Sequence, residues 1–151
     1  MGARRANHRI SKKRITMKIG FACGMFDLFH AGHVLMLQEC KQHCDYLIVA
    51  LNTAENIDYS INPGKKPPVF SLEERRLIML SCKFVDEVLT YDSEEALYKL
   101  MKERKIDVRF LGEDYRGKAI TGADLNIPIY YTDRSHGKST SELRERILKN
   151  S

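Results

Sequence analysis

Residues 46–51, Tyr46-Leu47-Ile48-Val49-Ala50-Leu51, form an unbroken apolar run between Asp45 and Asn52. A strand that is apolar on both sides needs cover on both sides, as in the middle of a parallel sheet. Shorter apolar stretches at 17–23, 85–90, 108–111 and 127–131 read as further strands. Helical patterns at 31–43, 71–82, 93–105 and 139–148 alternate with them. Two of these helices carry explicit start signals. Ser71 followed by Glu74 is a capping box, and Ser93 precedes Glu94 and Glu95, whose charges suit a helix N-terminus. The polar segment 52–70, with Asn62-Pro63-Gly64 and Pro67-Pro68, reads as a long loop. The alternation predicts an α/β fold: a three-layer Rossmann-like domain with a mostly parallel five-stranded sheet and helices on both faces.

Charge divides the chain into two parts. Arg4, Arg5, Arg9, Lys12, Lys13 and Arg14 fall in the first 16 positions without an acid among them. The remainder holds 19 of the 25 basic residues against 20 acidic ones, so the net charge of +5 belongs to an arm and not to the fold. Residues 1–16 are expected to be a flexible basic arm, and 17–151 a single domain. A nearly neutral body gives nucleic acid no electrostatic footprint, so no nucleic-acid partner is expected. No apolar run approaches the ~20 residues of a membrane-spanning helix, and no secretory leader is visible. Cys23, Cys40, Cys44 and Cys82 then read as reduced thiols of a cytoplasmic protein.

Ligands of such sheets bind beyond the C-terminal strand ends, where the strand order reverses. Three chemically loaded segments fall on that rim. His30-Ala31-Gly32-His33 follows the first strand and opens the first helix, where unpaired N–H groups and the helix dipole favour phosphate. Gly112-Glu113-Asp114-Tyr115 follows the fourth strand. Asp133 to Ser141 follows the fifth and sets a glycine, two cations and three hydroxyls at the start of the last helix, a composition suited to polyphosphate. Lys65 and Lys66 lie in the long loop, which is of a length typical of lids. Arg75 and Arg76 open a helix, where a cation opposes the dipole unless an anion is near. Gly137-Lys138-Ser139 is not a P-loop, because Thr132 stands where its first glycine belongs, and Gly20 and Gly24 do not fit a dinucleotide fingerprint. Two histidines three residues apart can share a zinc ion, but no further ligands lie nearby in sequence, and no protein-held metal is expected.

Gly24-Met25-Phe26-Asp27-Leu28-Phe29-His30-Ala31-Gly32-His33 resembles the nucleotidyltransferase signature with its His-x-Gly-His core. Arg134 to Ser141 is similar to the Arg-Thr-x-Gly-x-Ser-Thr-Thr/Ser signature of the cytidylyltransferases. Among these the chain most resembles the enzymes that act on glycerol 3-phosphate, from about residue 17 to 147. The resemblance implies transfer of CMP from CTP to a phosphorylated small alcohol, with Mg²⁺ held mainly by the nucleotide phosphates, and a homodimer. It implies that His30 and His33 contact phosphate and stabilise the transition state. Lys65 or Lys66 and Arg75 would add charge at the α-phosphate or the acceptor. Gly24, Met25, Phe26 and Asp27 would border the triphosphate, Asp114 would position the nucleotide, and Arg134, Ser135, Ser139 and Thr140 would bind triphosphate or nucleoside. Met25 and Ser135 stand where the signatures usually have threonine. An adenylyltransferase acting on a sugar phosphate or flavin mononucleotide is the alternative, and Arg134 argues against it, since such enzymes generally lack that arginine.

Overall fold

In the computed structural model of the chain, residues 17–55, 57–61 and 64–151 are described, and the expected basic arm at 1–16 lies outside them. Five strands form one sheet in the order β3-β2-β1-β4-β5. They are β1 (Ile19–Gly24), β2 (Tyr46–Asn52), β3 (Glu87–Tyr91), β4 (Val108–Gly112) and β5 (Ile129–Thr132). Every pairing is parallel, with Cys23 of β1 beside Ala50 of β2 and Phe21 beside Arg109 of β4. The chain starts in the middle strand, builds outward to β3, then returns to the other side of β1. The reversal of strand order therefore lies between β1 and β4, where their C-terminal ends open a crevice.

The apolar run at 46–51 is the buried strand that its composition demands: Leu47 to Leu51 are all fully buried. Alternate side chains feed two separate cores. Leu47, Val49 and Leu51 join Leu37 and Cys40 of α1 (Ala31–Gln42) and Met79 of α2 (Leu72–Leu80). Ile48 and Ala50 face the other way, onto Leu97 and Met101 of α3 (Glu94–Glu103). The last helix, α4 (Thr140–Lys149), buries none of its residues and lies against the C-terminal rim.

Caps fix these helices where the sequence places them. Ser71 and Glu74 exchange both bonds of the capping box at 3.1 and 3.0 Å, and Ser93 and Ser139 each accept a backbone N–H three residues on. The boundaries shift for local reasons. The fifth strand begins at Ile129 and not at 127, because Pro128 has no N–H to give the ladder, although its carbonyl accepts from Arg109 N at 2.8 Å. The second helix stops at Leu80, and a turn closed by Val85 N to the Cys82 carbonyl delays β3 to Glu87. Two short 3-10 turns, Glu113–Tyr115 and Ala123–Leu125, were not legible as elements.

Arg75 departs from expectation. Its side chain is 2% exposed, and it does not present its charge to a rim ligand. The guanidinium donates to the carbonyls of Phe70 (3.3 Å), Met25 (3.1 Å) and Asn52 (2.7 Å). It thereby ties the end of β2, the turn after β1 and the end of the long loop to α2. Burial pulls its pKa below the ordinary arginine value, with Asp27 opposing the shift. Arg75→Leu leaves three carbonyls without a donor and should destabilise the fold by about 3 kcal/mol. A fall in the urea midpoint would show this; an unchanged midpoint would mean that the clamp carries no load.

Candidate active site

The turn after β1 is built by two residues in the left-handed region, Phe26 and Leu28, both at φ 50°. That conformation is unfavourable for side chains of this size and persists only where the surroundings enforce it. Here Phe26 enters the core, 8% exposed, and Asp27 turns inward, 5% exposed. The Asp27 carboxylate accepts Val69 N–H at 2.8 Å and Phe70 N–H at 2.9 Å, and it pairs with Arg144 Nη2 of α4 at 3.3 Å. Its carbonyl accepts from the Thr140 hydroxyl at 3.3 Å. This carboxylate, expected beside the triphosphate or its cation, lines the candidate cavity and at the same time anchors the long loop and the last helix.

His30 is the N-cap of α1, and an imidazole capping box opens the helix. His30 Nδ1 accepts Gly32 N–H at 3.0 Å, and His33 Nδ1 accepts His30 N–H at 3.2 Å. Both rings, when neutral, thus carry their proton on Nε2. They stack with centroids 3.9 Å apart, and His33 also stacks on Phe29 at 5.5 Å. His30 Nε2 lies 3.3 Å from Thr140 Oγ1. Gly32 is required by close approach, since a Cβ there would stand 2.9 Å from the Lys138 carbonyl. The segments after β1 and β5 are thus in direct contact.

Burial lowers the His33 pKa to about 3, helped by the neighbouring His30 and Arg134 charges and opposed by Asp27. His30 is lowered too, first by burial, then by His136 and Arg134. Both rings are therefore neutral N–H donors at pH 7, and the positive charge of the site comes from other groups. Lys65 and Lys66 are exposed on the wall of a cavity of about 920 Å³, shared with Asp27, His33, Thr140 and Arg144. Met25 also lines it, while its carbonyl is the one held by Arg75. Arg134 and Asp114 stand apart from this cavity, above the ends of β5 and β4, with Nη1 and Oδ1 4.0 Å apart.

Two predicted hydroxyls have local partners. Ser135 Oγ donates to Asp133 Oδ2 at 2.8 Å, and Ser139 Oγ accepts Glu142 N–H at 3.1 Å, which leaves the Ser139 proton free to donate outward. Gly24 and Phe26 support the turn from the core side, where the Phe26 ring packs 3.5 Å from the point a Gly24 Cβ would occupy. Sequence reasoning passed over Arg144, although it follows Thr140 by four residues and so shares its helical face. It also passed over Glu39 of α1, which accepts from Tyr130 Oη at 2.9 Å and Asp133 N at 3.0 Å and so fixes the end of β5.

Residues 21–146 match the cytidylyltransferase-like family. The glycerol-3-phosphate cytidylyltransferase of Bacillus subtilis is 35% identical over 131 residues, which are 87% of this chain and 98% of that protein. The bifunctional protein HldE of Wolinella succinogenes is 39% identical over 132 residues, which are 86% of this chain; the chain spans only 27% of that longer protein. Among solved structures, a lipopolysaccharide core biosynthesis protein from Thermoplasma volcanium superposes with TM-score 0.58 at 28% identity, covering 76% of this chain and 93% of that one. Pantothenate synthetase from Thermus thermophilus shares the fold at TM-score 0.53 and 13% identity.

The depressed His33 pKa has a measurable sign. Between pH 3 and 6.5 the unfolded chain binds a proton at this ring that the folded chain refuses. Stability should therefore rise with pH across that window, by at most about 1.4 kcal/mol per pH unit from this group. In NMR titrations the His33 ring resonances should stay flat from pH 8 to 5. A midpoint near 6.5 would contradict the burial described here.

Proposed function

The chain belongs to the cytidylyltransferase-like family and is a nucleotidyltransferase, and from that premise we propose that it transfers CMP from CTP to a small alcohol phosphate, glycerol 3-phosphate foremost. The observation that carries this reading is the contact of His30 with Thr140. It makes one rim site out of the paired imidazoles and the start of α4, with lysines on one side and Arg134 on the other. Arg134 and the near full-length likeness to the Bacillus enzyme favour CTP over ATP.

In the proposed reaction an oxygen of the acceptor phosphate attacks the α-phosphorus of CTP. A new P–O bond forms as the bond to the β-phosphate oxygen breaks, and pyrophosphate leaves with the bonding electrons. Charge grows on the α-phosphate oxygens, so positioned donors supply the catalysis, with no covalent intermediate on the protein. His33 Nε2–H is such a donor, fixed by the bond at its Nδ1 and facing the cavity. Lys65 and Lys66 share the cavity wall with His33, which supports a role for them in drawing the acceptor phosphate toward it. Mg²⁺ would neutralise the triphosphate, held by phosphate oxygens and water. The buried Asp27 carboxylate, already bonded to three donors, is poorly suited to hold it. A homodimer would cover Leu77 and Leu80, which stand exposed on α2. The free cysteines suit a cytoplasmic setting.

With pooled phosphorylated alcohols and each nucleoside triphosphate, pyrophosphate release should appear with CTP and Mg²⁺, and single acceptors should resolve glycerol 3-phosphate. Release with ATP alone would instead make the chain an adenylyltransferase. His33→Ala should lower kcat by roughly 10²–10⁴-fold at a temperature where the variant remains folded; near-normal turnover would remove His33 from the chemistry.

A further inference from the structure

The cavity that holds His33 continues along one side of α4. Thr140, Ser141, Arg144, Glu145, Ile147 and Leu148 all line it, with the spacing of a single helical stripe. The stripe runs away from the imidazoles. Thr140 touches His30, Arg144 stands one turn further on, and Glu145 lies about 7.5 Å from Thr140 along the helix axis. The carboxylates of this lining are unequally committed. Asp27 is bonded to three donors, Arg144 among them. Glu145 is exposed, and its side chain makes no hydrogen bond or ion pair with any described residue. A simple surface partner is at hand, since Lys149 follows by four residues, the order in which a glutamate and a lysine pair best on a helix. Glu142 and Arg146 form a pair of that spacing at 3.7 Å, but Glu145 and Lys149 do not. Beyond Glu145 the lining is apolar. Ile147 and Leu148 are 55% and 73% exposed, and Pro68 and Val69 join them from the long loop.

We propose that Glu145 determines specificity for the acceptor. Its carboxylate takes a hydrogen bond from a hydroxyl or ammonium group at the end of the acceptor remote from its phosphate, and it turns away acceptors that carry a second anion there. The proposal rests on the reading of this cavity as the acceptor side of a nucleotidyltransferase site. Charge fixes which end of the acceptor meets Glu145. A phosphate is drawn to Lys65, Lys66 and Arg144, the cations of the lining, and is repelled by a carboxylate with no partner. His33 and Thr140 mark the reacting end, and Glu145 lies further along α4, at the reach of a phosphate followed by a short carbon chain. Past Arg144 it is the one polar side chain that α4 gives to the lining, so a donor at that end of the acceptor has this carboxylate to meet. An ionised carboxylate accepts and does not donate. A hydroxyl or ammonium is therefore satisfied there, while an anion is left unpaired and repelled. Glu145 falls outside both signature segments, the later of which ends at Ser141.

The test uses the whole chain, with calorimetry and steady-state kinetics side by side. Wild type should bind glycerol 3-phosphate or phosphoethanolamine about tenfold more tightly than inorganic phosphate, and the better of the two identifies the donor as hydroxyl or ammonium. In Glu145→Leu that advantage should shrink to within about twofold, and the KM for the acceptor should rise about tenfold while the KM for CTP stays within about twofold of wild type. Glu145→Gln keeps an acceptor oxygen and drops the charge. It should take 3-phosphoglycerate, which has a carboxylate in place of the hydroxymethyl group, about tenfold better than wild type does. Melting temperatures of both variants control for folding. An acceptor preference unchanged in Glu145→Leu would overturn the proposal, as would an equal rise in the KM for CTP. So would a wild type that binds neither phosphorylated alcohol better than phosphate, or that takes 3-phosphoglycerate as readily as glycerol 3-phosphate, or its continued exclusion by Glu145→Gln. If CTP and the acceptor turn over equally well in Glu145→Leu, the reaction assignment stands and this inference fails. If the binding preference depends on Glu145 while no nucleotide and acceptor pair turns over, the reaction assignment fails and this inference stands.

Discussion

The hydrogen bond between His30 Nε2 and Thr140 Oγ1 joins residues 110 positions apart and brings the imidazole turn onto the start of α4. Together with the Thr140 bond to the Asp27 carbonyl and the Arg144–Asp27 pair, it makes one site of the imidazole turn and the hydroxyl-bearing helix start. With it, Thr140 passes the link on to the Asp27 carbonyl, and the Asp27 carboxylate carries it to the loop at Val69 and Phe70 and to Arg144. Three segments far apart in sequence are held around one cavity by a short chain of polar contacts. Topology makes this possible: β1 sits between β2 and β4, so its C-terminal turn lies at the reversal of strand order and within reach of the segment after β5.

The division of labour among charged groups comes from burial. The imidazoles are packed against each other and against Phe26 and Phe29, so they stay neutral and serve as directed N–H donors. Full positive charge is kept on exposed side chains, Lys65, Lys66 and Arg134, where it costs little without a ligand. Arg75 shows the opposite solution. A guanidinium can be buried when its hydrogens meet carbonyl oxygens, and it then acts as a structural brace.

Much of this was legible in the residues. The uninterrupted apolar run at 46–51 required a central parallel strand, and Ser71 with Glu74 marked a helix start that the structure reproduces atom for atom. His30 and His33 were placed at a strand-to-helix turn because a helical pattern comes directly after them, and His30 is indeed the N-cap. The roles of Asp27 and Arg75 were not legible. A charged residue beside a phosphate motif looks the same in sequence whether it faces a ligand or a set of backbone groups, and only the path of the loop through Val69 and Phe70 decides. Arg144 was missed for a related reason. Its importance comes from Asp27, 117 positions away, and no local pattern encodes that pair.

The central claim is that one nucleotide spans the imidazole turn and the start of α4. An NMR titration of the isotopically labelled chain with CTP and Mg²⁺ tests it most directly. The account predicts that resonances of His30 and His33 and those of Arg134, Thr140 and Ser141 shift together along one saturation curve. Shifts confined to either segment, with the other unmoved at saturation, would contradict it.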